Sequence, residues 1–137
     1  MIEKDLIEIY KENEFLLKTD DKELWFSISK PLDQVHYERS FAILTAWNPN
    51  NIPTTAAENA TVNMKLKADL SKYEISDSIG KYNDHQEDSF LVYDISLENT
   101  LALGVKYNQY SIFYNDTNKL SYIECSSKRV LISKNLK

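Results

Sequence analysis

Seven consecutive residues, Phe41-Ala42-Ile43-Leu44-Thr45-Ala46-Trp47, make a run that is apolar at odd and even positions alike and stops abruptly at Asn48-Pro49. The run is too short for an ordinary globular helix and is bounded by turn residues, so it reads as a strand. A strand that is apolar on both faces belongs in the middle of a sheet, with other elements packed around it. Directly after it, Thr55-Ala56-Ala57-Glu58 has the spacing of a capping box, in which the Thr55 hydroxyl accepts from the Glu58 amide and the Glu58 carboxylate reaches back to Thr55. The helix opened there should run to about Leu70, with Asn59, Val62, Asn63, Leu66 and Leu70 on its inner face. Asn59 occupies the end of that face, where an apolar residue is expected.

The remaining elements are placed relative to this pair. Ile2, Leu6, Ile9 and Tyr10 recur at helical spacing and give a short amphipathic helix at the N-terminus. An acidic link, Thr19-Asp20-Asp21, leads into a strand at Leu24-Trp25-Phe26-Ser27-Ile28, and Pro31 opens a helical turn or two over Leu32 to Tyr37. Tyr73 to Ile79 alternates weakly and reads as an edge strand, while Gly80 to Asp88 is polar and reads as a loop. Ser89 to Ile95 is a second strongly apolar strand, after which Ser96 caps a helix with Leu97, Leu101 and Gly104 on one face. Gly104 lowers helix stability by roughly 1 kcal/mol, which points to close packing on the sheet. Tyr110 to Tyr114, the turn Asn115-Asp116-Thr117-Asn118 and Leu120 to Cys125 form a hairpin, and Val130-Leu131-Ile132 adds a short strand.

From Phe41 onward the order is strand, helix, strand, strand, helix, strand. The expected fold is therefore α+β, a ferredoxin-like split β-α-β plait (β-α-β-β-α-β) with an N-terminal helix and extra edge or hairpin strands. Both helices would cover one sheet face and leave the other partly open. A chain of 137 residues is expected to be a single domain: residues 1–39 packed on the core, a plait core over 40–125 and a C-terminal extension over 126–137.

Charge and composition narrow the function classes. The net charge is −5, from 21 acids against 16 bases mixed along the chain, which disfavours binding to phosphate backbones or anionic membranes. There is no basic stripe beside the tyrosines, so they read as core and cross-strand pairs rather than a base-stacking platform. Cys125 is the only cysteine, which excludes an intrachain disulfide and suits a reducing compartment. Met1-Ile2-Glu3-Lys4-Asp5 lacks the apolar core of a secretory signal, and no stretch reaches the roughly 18 apolar residues that span a bilayer. These features lead us to expect a cytoplasmic protein with no nucleic-acid partner and no membrane segment. His36 and His85 stand 49 positions apart without a ligand-spaced partner, so no metal site is expected. Phosphate-binding glycine loops and serine-hydrolase elbows are absent, and no cofactor is implied.

The plait topology does bring polar residues together. At the end where the Phe41 strand finishes, the capped helix begins, the Ser89 strand enters and the second helix ends. Thr45, Asn48, Asn59, Glu87, Ser89 and Gln109 should converge at that pole. Each has a plainer reading: Asn48 as a turn residue before proline, Asn59 as a buried tie between helix and strand, Gln109 as a helix cap, and Glu87 as a solvated loop acid. Their amides offer paired donors and acceptors suited to a small polar ligand, and Glu87 is the one acid–base candidate. The other reading is a protein-interaction module, in which an open sheet face with Trp25, Phe26 and tyrosines supports a homodimer or another partner.

At these same residues the chain resembles a bacterial family known only as a domain of unknown function. Thr45-Ala46-Trp47-Asn48-Pro49 matches its Thr-Ala-Trp-Asn-Pro (TAWNP) motif, Glu58-Asn59 its Glu-Asn pair, Glu87-Asp88-Ser89 its acid-then-serine step, and Gln109 its glutamine before a strand. Two residues before the acid the family often carries Trp, and this chain has His85. The resemblance covers roughly Leu24 to Tyr114 and implies a location for the site but no reaction.

Overall fold

The computed structural model describes residues 3–136, so Ile2 of the expected helix face lies outside the described residues. Helix α1 (Glu3–Glu12) is followed by β1 (Glu14–Lys18), β2 (Glu23–Phe26) and a 3-10 turn at Gln34–Tyr37. Next come β3 (Phe41–Leu44), a 3-10 turn at Pro49–Asn51 and α2 (Ala56–Asp69), then β4 (Ile75–Tyr82) and β5 (His85–Tyr93). Helix α3 (Leu97–Lys106), β6 (Ser111–Asn115), β7 (Lys119–Glu124) and β8 (Val130–Asn135) complete the chain. All eight strands join one sheet in the order β2-β1-β4-β5-β3-β6-β7-β8, and every neighbouring pair is antiparallel.

As its apolar pattern requires, β3 is buried at all four positions, between β5 and β6. Its alternating side chains feed two separate cores. Ala42 and Leu44 join Leu66, Leu70, Ile95 and Leu101 under α2 and α3. Phe41 and Ile43 join Phe15, Phe26, Tyr37, Phe113 and Tyr122 on the opposite face. That second core shows how far the sheet bends. The Phe15 and Phe113 rings lie 5.0 Å apart, although their strands β1 and β6 are four places apart in the sheet. In a flat sheet, four strand spacings come to roughly 19 Å. The sheet therefore curls into a half-barrel, with the aromatic core on its concave face and α2 and α3 on the convex one. A register shift at Tyr122/Ile123 between β7 and β8 adds a local bend of the kind bulges impose.

This overturns the expected ferredoxin-like plait: the molecule is an eight-stranded, curled antiparallel half-barrel with three helices. Three local features produce the difference. Phe15-Leu16-Leu17, to which the sequence reading assigns no element, forms β1, buried at all three positions and paired with both β2 and β4. Gly80 to Asp88 is not a loop: β4 and β5 pair continuously from Ile75↔Val92 to Tyr82↔His85, turning at Asn83 with φ 51°. On the other side, β7 and β8 extend the sheet beyond β6. The concave face is accordingly filled rather than open. Phe26 is 1% exposed and Tyr37 fully buried, and Tyr10 of α1 stacks on Tyr122 with centroids 4.2 Å apart.

On the convex side α3 approaches the sheet closely. A Cβ at Gly104 would stand 2.4 Å from Cys125 Sγ and 3.1 Å from Ile112 Cγ2, so only glycine fits. Cys125 is buried there, and burial, with the nearby Glu124 charge, pushes its thiol up to about 11. It serves as a packed side chain rather than a nucleophile.

Candidate functional site

The segment that follows β3 is held by side chains at nearly every peptide. Asn63 of α2 accepts the Ala46 N–H at 2.7 Å and donates to the Asp88 carbonyl at 2.9 Å. The Thr45 hydroxyl donates to that same carbonyl at 2.8 Å and accepts the Trp47 N–H at 3.1 Å. Gln109 Nε2 donates to the Trp47 and Tyr107 carbonyls, both at 3.2 Å, which leaves its own carbonyl oxygen outside both bonds. Asn48 and Asn59 bond reciprocally: Asn59 Oδ1 accepts the Asn48 N–H at 2.8 Å, and Asn59 Nδ2 donates to Asn48 Oδ1 at 2.9 Å. Asn48 Oδ1 also accepts the Thr54 N–H at 3.2 Å.

Asparagine is needed here for backbone reasons as well. Asn48, Asn50 and Asn51 have φ of 46°, 60° and 59°, a left-handed conformation that asparagine tolerates better than most residues. Asn48 thus turns left-handed before Pro49 rather than extended. The helix cap below this segment differs in one detail from the expected box. Thr55 Oγ1 accepts from the Glu58 amide at 3.1 Å, but the Glu58 carboxylate accepts from the Thr54 hydroxyl instead of reaching Thr55.

Around the corner, on the concave face, the strands change character toward this pole. Leu91 gives way to Ser89 and Glu87 on β5, Ile43 to Thr45 after β3, and Phe113 to Ser111 on β6, so an aromatic floor passes into a polar end. A cavity of about 120 Å³ opens there, lined by Thr45, Glu87, Ser89 and Gln109 together with Tyr10, Asn13, Ser111 and Tyr122, over Phe15 and Phe113. Four of the six residues expected to converge therefore meet in one cavity. Asn48 and Asn59 are absent from its lining; Asn59 is 1% exposed and bonded to Asn48 beside it.

The polar atoms of the cavity differ in how they are engaged. Tyr10 Oη and Ser111 Oγ are 2.5 Å apart and hydrogen-bonded to one another. The Ser89 hydroxyl donates to the Glu87 carbonyl at 3.3 Å. Glu87 Oε1 lies 3.1 Å from His85 Nε2, the carboxylate half-buried and the imidazole largely exposed. Tyr122 Oη is buried and has no hydrogen-bond partner among the described residues. Burial pushes the Tyr122 phenol well above its usual range; Asn13 stands close enough to offset a little of that rise without reaching hydrogen-bond geometry. Burial likewise raises Tyr10, against the lowering effect of its bond to Ser111.

Sequence reasoning missed Tyr10, Asn13, Ser111 and Tyr122 as cavity residues, and Asn63 as the strut that positions Thr45. The tyrosines sat at apolar positions of their elements and read as core, although a buried tyrosine carries a polar tip that needs an answer. Among the described residues no group of three or more His, Cys, Asp or Glu side chains could hold a metal ion. No described helix is long and apolar enough to cross a membrane.

Comparison with curated proteins gave no match, and comparison with solved structures gave none. A family model described as a protein of unknown function (DUF3293) matches residues 44–112, from the end of β3 into β6 and thus across Thr45, Asn48, Asn59, Glu87, Ser89 and Gln109. The match spans half of the chain, and the chain belongs to that family.

Proposed function

We propose that this chain binds a small, hydrogen-bonding molecule in the cavity at the polar end of its concave face. The observation that carries the reading is Tyr122, a residue of the cavity lining whose hydroxyl is buried without a partner among the described residues. Burying a hydroxyl without a partner costs roughly 1–3 kcal/mol, and a ligand that bonds to it offsets that cost. Thr45, Ser89, Gln109 and Glu87 supply further polar groups around the same space, and Phe15 and Phe113 its apolar floor. In this reading Asn48, Asn59 and Asn63 support the site by fixing the backbone that carries Thr45. The size suits a molecule of one ring or a short chain, since an engineered apolar cavity of roughly 150 Å³ elsewhere holds benzene. If the bound molecule reacts, Glu87 is the group positioned to move a proton.

A thermal-shift screen of nucleobases, sugars, amides and amines tests this. A ligand at a hundred times its Kd stabilises the fold by about 2.7 kcal/mol. Tyr122→Phe should abolish or weaken each genuine hit while leaving the unliganded protein folded. Hits that are indifferent to Tyr122→Phe and Gln109→Leu would place binding elsewhere and refute the reading.

A further inference from the structure

We propose that the molecule held in the cavity is a small organic cation with N–H donors, and that Glu87 is its counter-ion. This rests on the cavity reading above and assigns its ligand class. Among the described residues the lining contains one carboxylate, Glu87, and neither lysine nor arginine. An anion entering there would face that carboxylate in a partly desolvated space lined by neither lysine nor arginine, the one basic ring at the carboxylate being His85 outside the lining, an arrangement that disfavours like charge. A cation meets the opposite field, and the net charge of −5 over the whole chain acts in the same direction.

The rest of the lining suits a cation with N–H groups. Tyr10, Phe15, Phe113 and Tyr122 bring rings to the cavity, and the π system of an aromatic ring attracts a positive charge. The Tyr10 and Ser111 hydroxyls are bonded to each other, whereas Tyr122 Oη is buried without a partner and, as a neutral phenol, can accept an N–H. His85 engages Oε1 of Glu87 from the outer, exposed side, which leaves Oε2 outside that pair. An amidinium or guanidinium group presents parallel N–H donors that can be shared between a carboxylate oxygen and a second acceptor. The volume restricts the class to short or single-ring cations and excludes long polyamines.

Three probes of nearly one shape and three charges test the assignment: benzamidinium, benzamide and benzoate, titrated calorimetrically into the full chain near neutral pH and at low salt. Benzamidinium should bind at least tenfold more tightly than benzamide, and benzoate should give no measurable heat. Glu87→Gln should bring benzamidinium down to the affinity of benzamide without changing the melting temperature of the free protein. Equal or tighter binding of benzamide or benzoate by the wild-type chain overturns the cation assignment while leaving the cavity reading in place. Unchanged benzamidinium binding in a folded Glu87→Gln variant also overturns it. Silence from all three probes at millimolar concentration overturns both. The order of the three probes on the wild-type chain decides the matter even if the variant does not fold.

Discussion

The two faces of the sheet differ in one buried polar atom. On the convex side, where α2 lies, the buried amides Asn59 and Asn63 are answered at both ends by backbone or by another amide. On the concave side the Tyr122 hydroxyl is buried and unanswered, next to a cavity. A satisfied buried group is expensive to remove, because its partners are left orphaned, whereas an unsatisfied one costs little to lose. The difference separates the part of the molecule that holds its shape from the part left open to something else.

Substitutions can break this comparison. The largest effect is expected at Asn63. Asn63→Ala strands the Ala46 N–H, while the Asp88 carbonyl keeps its bond from Thr45, so the loss should be roughly 1–3 kcal/mol for the orphaned amide, read from urea unfolding midpoints. A loss below about 1 kcal/mol would mean that water satisfies the Ala46 N–H and that the convex side is no tighter than the concave one. Gly104→Ala comes next. Its Cβ would overlap Cys125 Sγ, and overpacking of this kind costs about 1–3 kcal/mol, partly offset by the better helix propensity of alanine. Combining it with Cys125→Ala should cost less than the sum of the two single changes, because the clash goes with the sulfur. Thr55→Ala removes the α2 cap and should cost about 1 kcal/mol.

The smallest effect has the opposite sign and sharpens the contrast most. Tyr122→Phe removes the unpartnered hydroxyl, so the unliganded protein should hold its stability or gain up to about 1 kcal/mol. It should also change the alkaline limb. The folded phenol is held above its ordinary value, so the folded state keeps a proton that the unfolded chain releases. The stability this contributes is fully present below the ordinary phenol value near 10 and is lost as pH rises from there through the raised folded value. Thermal melts across that range should fall less steeply for Tyr122→Phe than for the wild type. A destabilisation of more than about 1 kcal/mol at neutral pH would show that the hydroxyl is answered after all.

What could be read from the sequence followed local rules. The β3 strand was visible in the seven-residue apolar run from Phe41 to Trp47, which needs cover on both faces, although the strand itself ends at Leu44. The Thr55 and Ser96 caps were visible because helix starts leave amides that a hydroxyl must accept. Helix α3 was visible with Gly104 on its packed face. What escaped depended on distant partners. Phe15-Leu16-Leu17 is too short a run to declare itself, and it becomes β1 only because β4 and β2 lie on either side of it. The polar stretch from Gly80 to Asp88 pairs as two strands despite weak propensity, since tertiary context outweighs composition. No periodicity in the sequence encodes the curl that brings Phe15 to Phe113, and without it a plait was the simpler reading. The site followed the same division. The expected plait topology placed Thr45, Glu87, Ser89 and Gln109 at one pole; Ser111 and Tyr122 lie beside them on β6 and β7, the strands paired outward from β3, whereas Tyr10 joined them only through the curl.

The Tyr10–Ser111 hydrogen bond closes the cavity across 101 positions of the chain. During synthesis, helix α1 leaves the ribosome long before its partners on β6 and β7 exist, and until then Tyr10 and Phe15 are exposed apolar surface. Contacts between such distant positions pay loop-closure entropy before they return any energy, which slows folding and prolongs that exposure. The cavity is therefore a late product of folding, formed only when the two halves of the chain meet. A molecule that fits it recognises finished copies of the protein and passes over partly made ones.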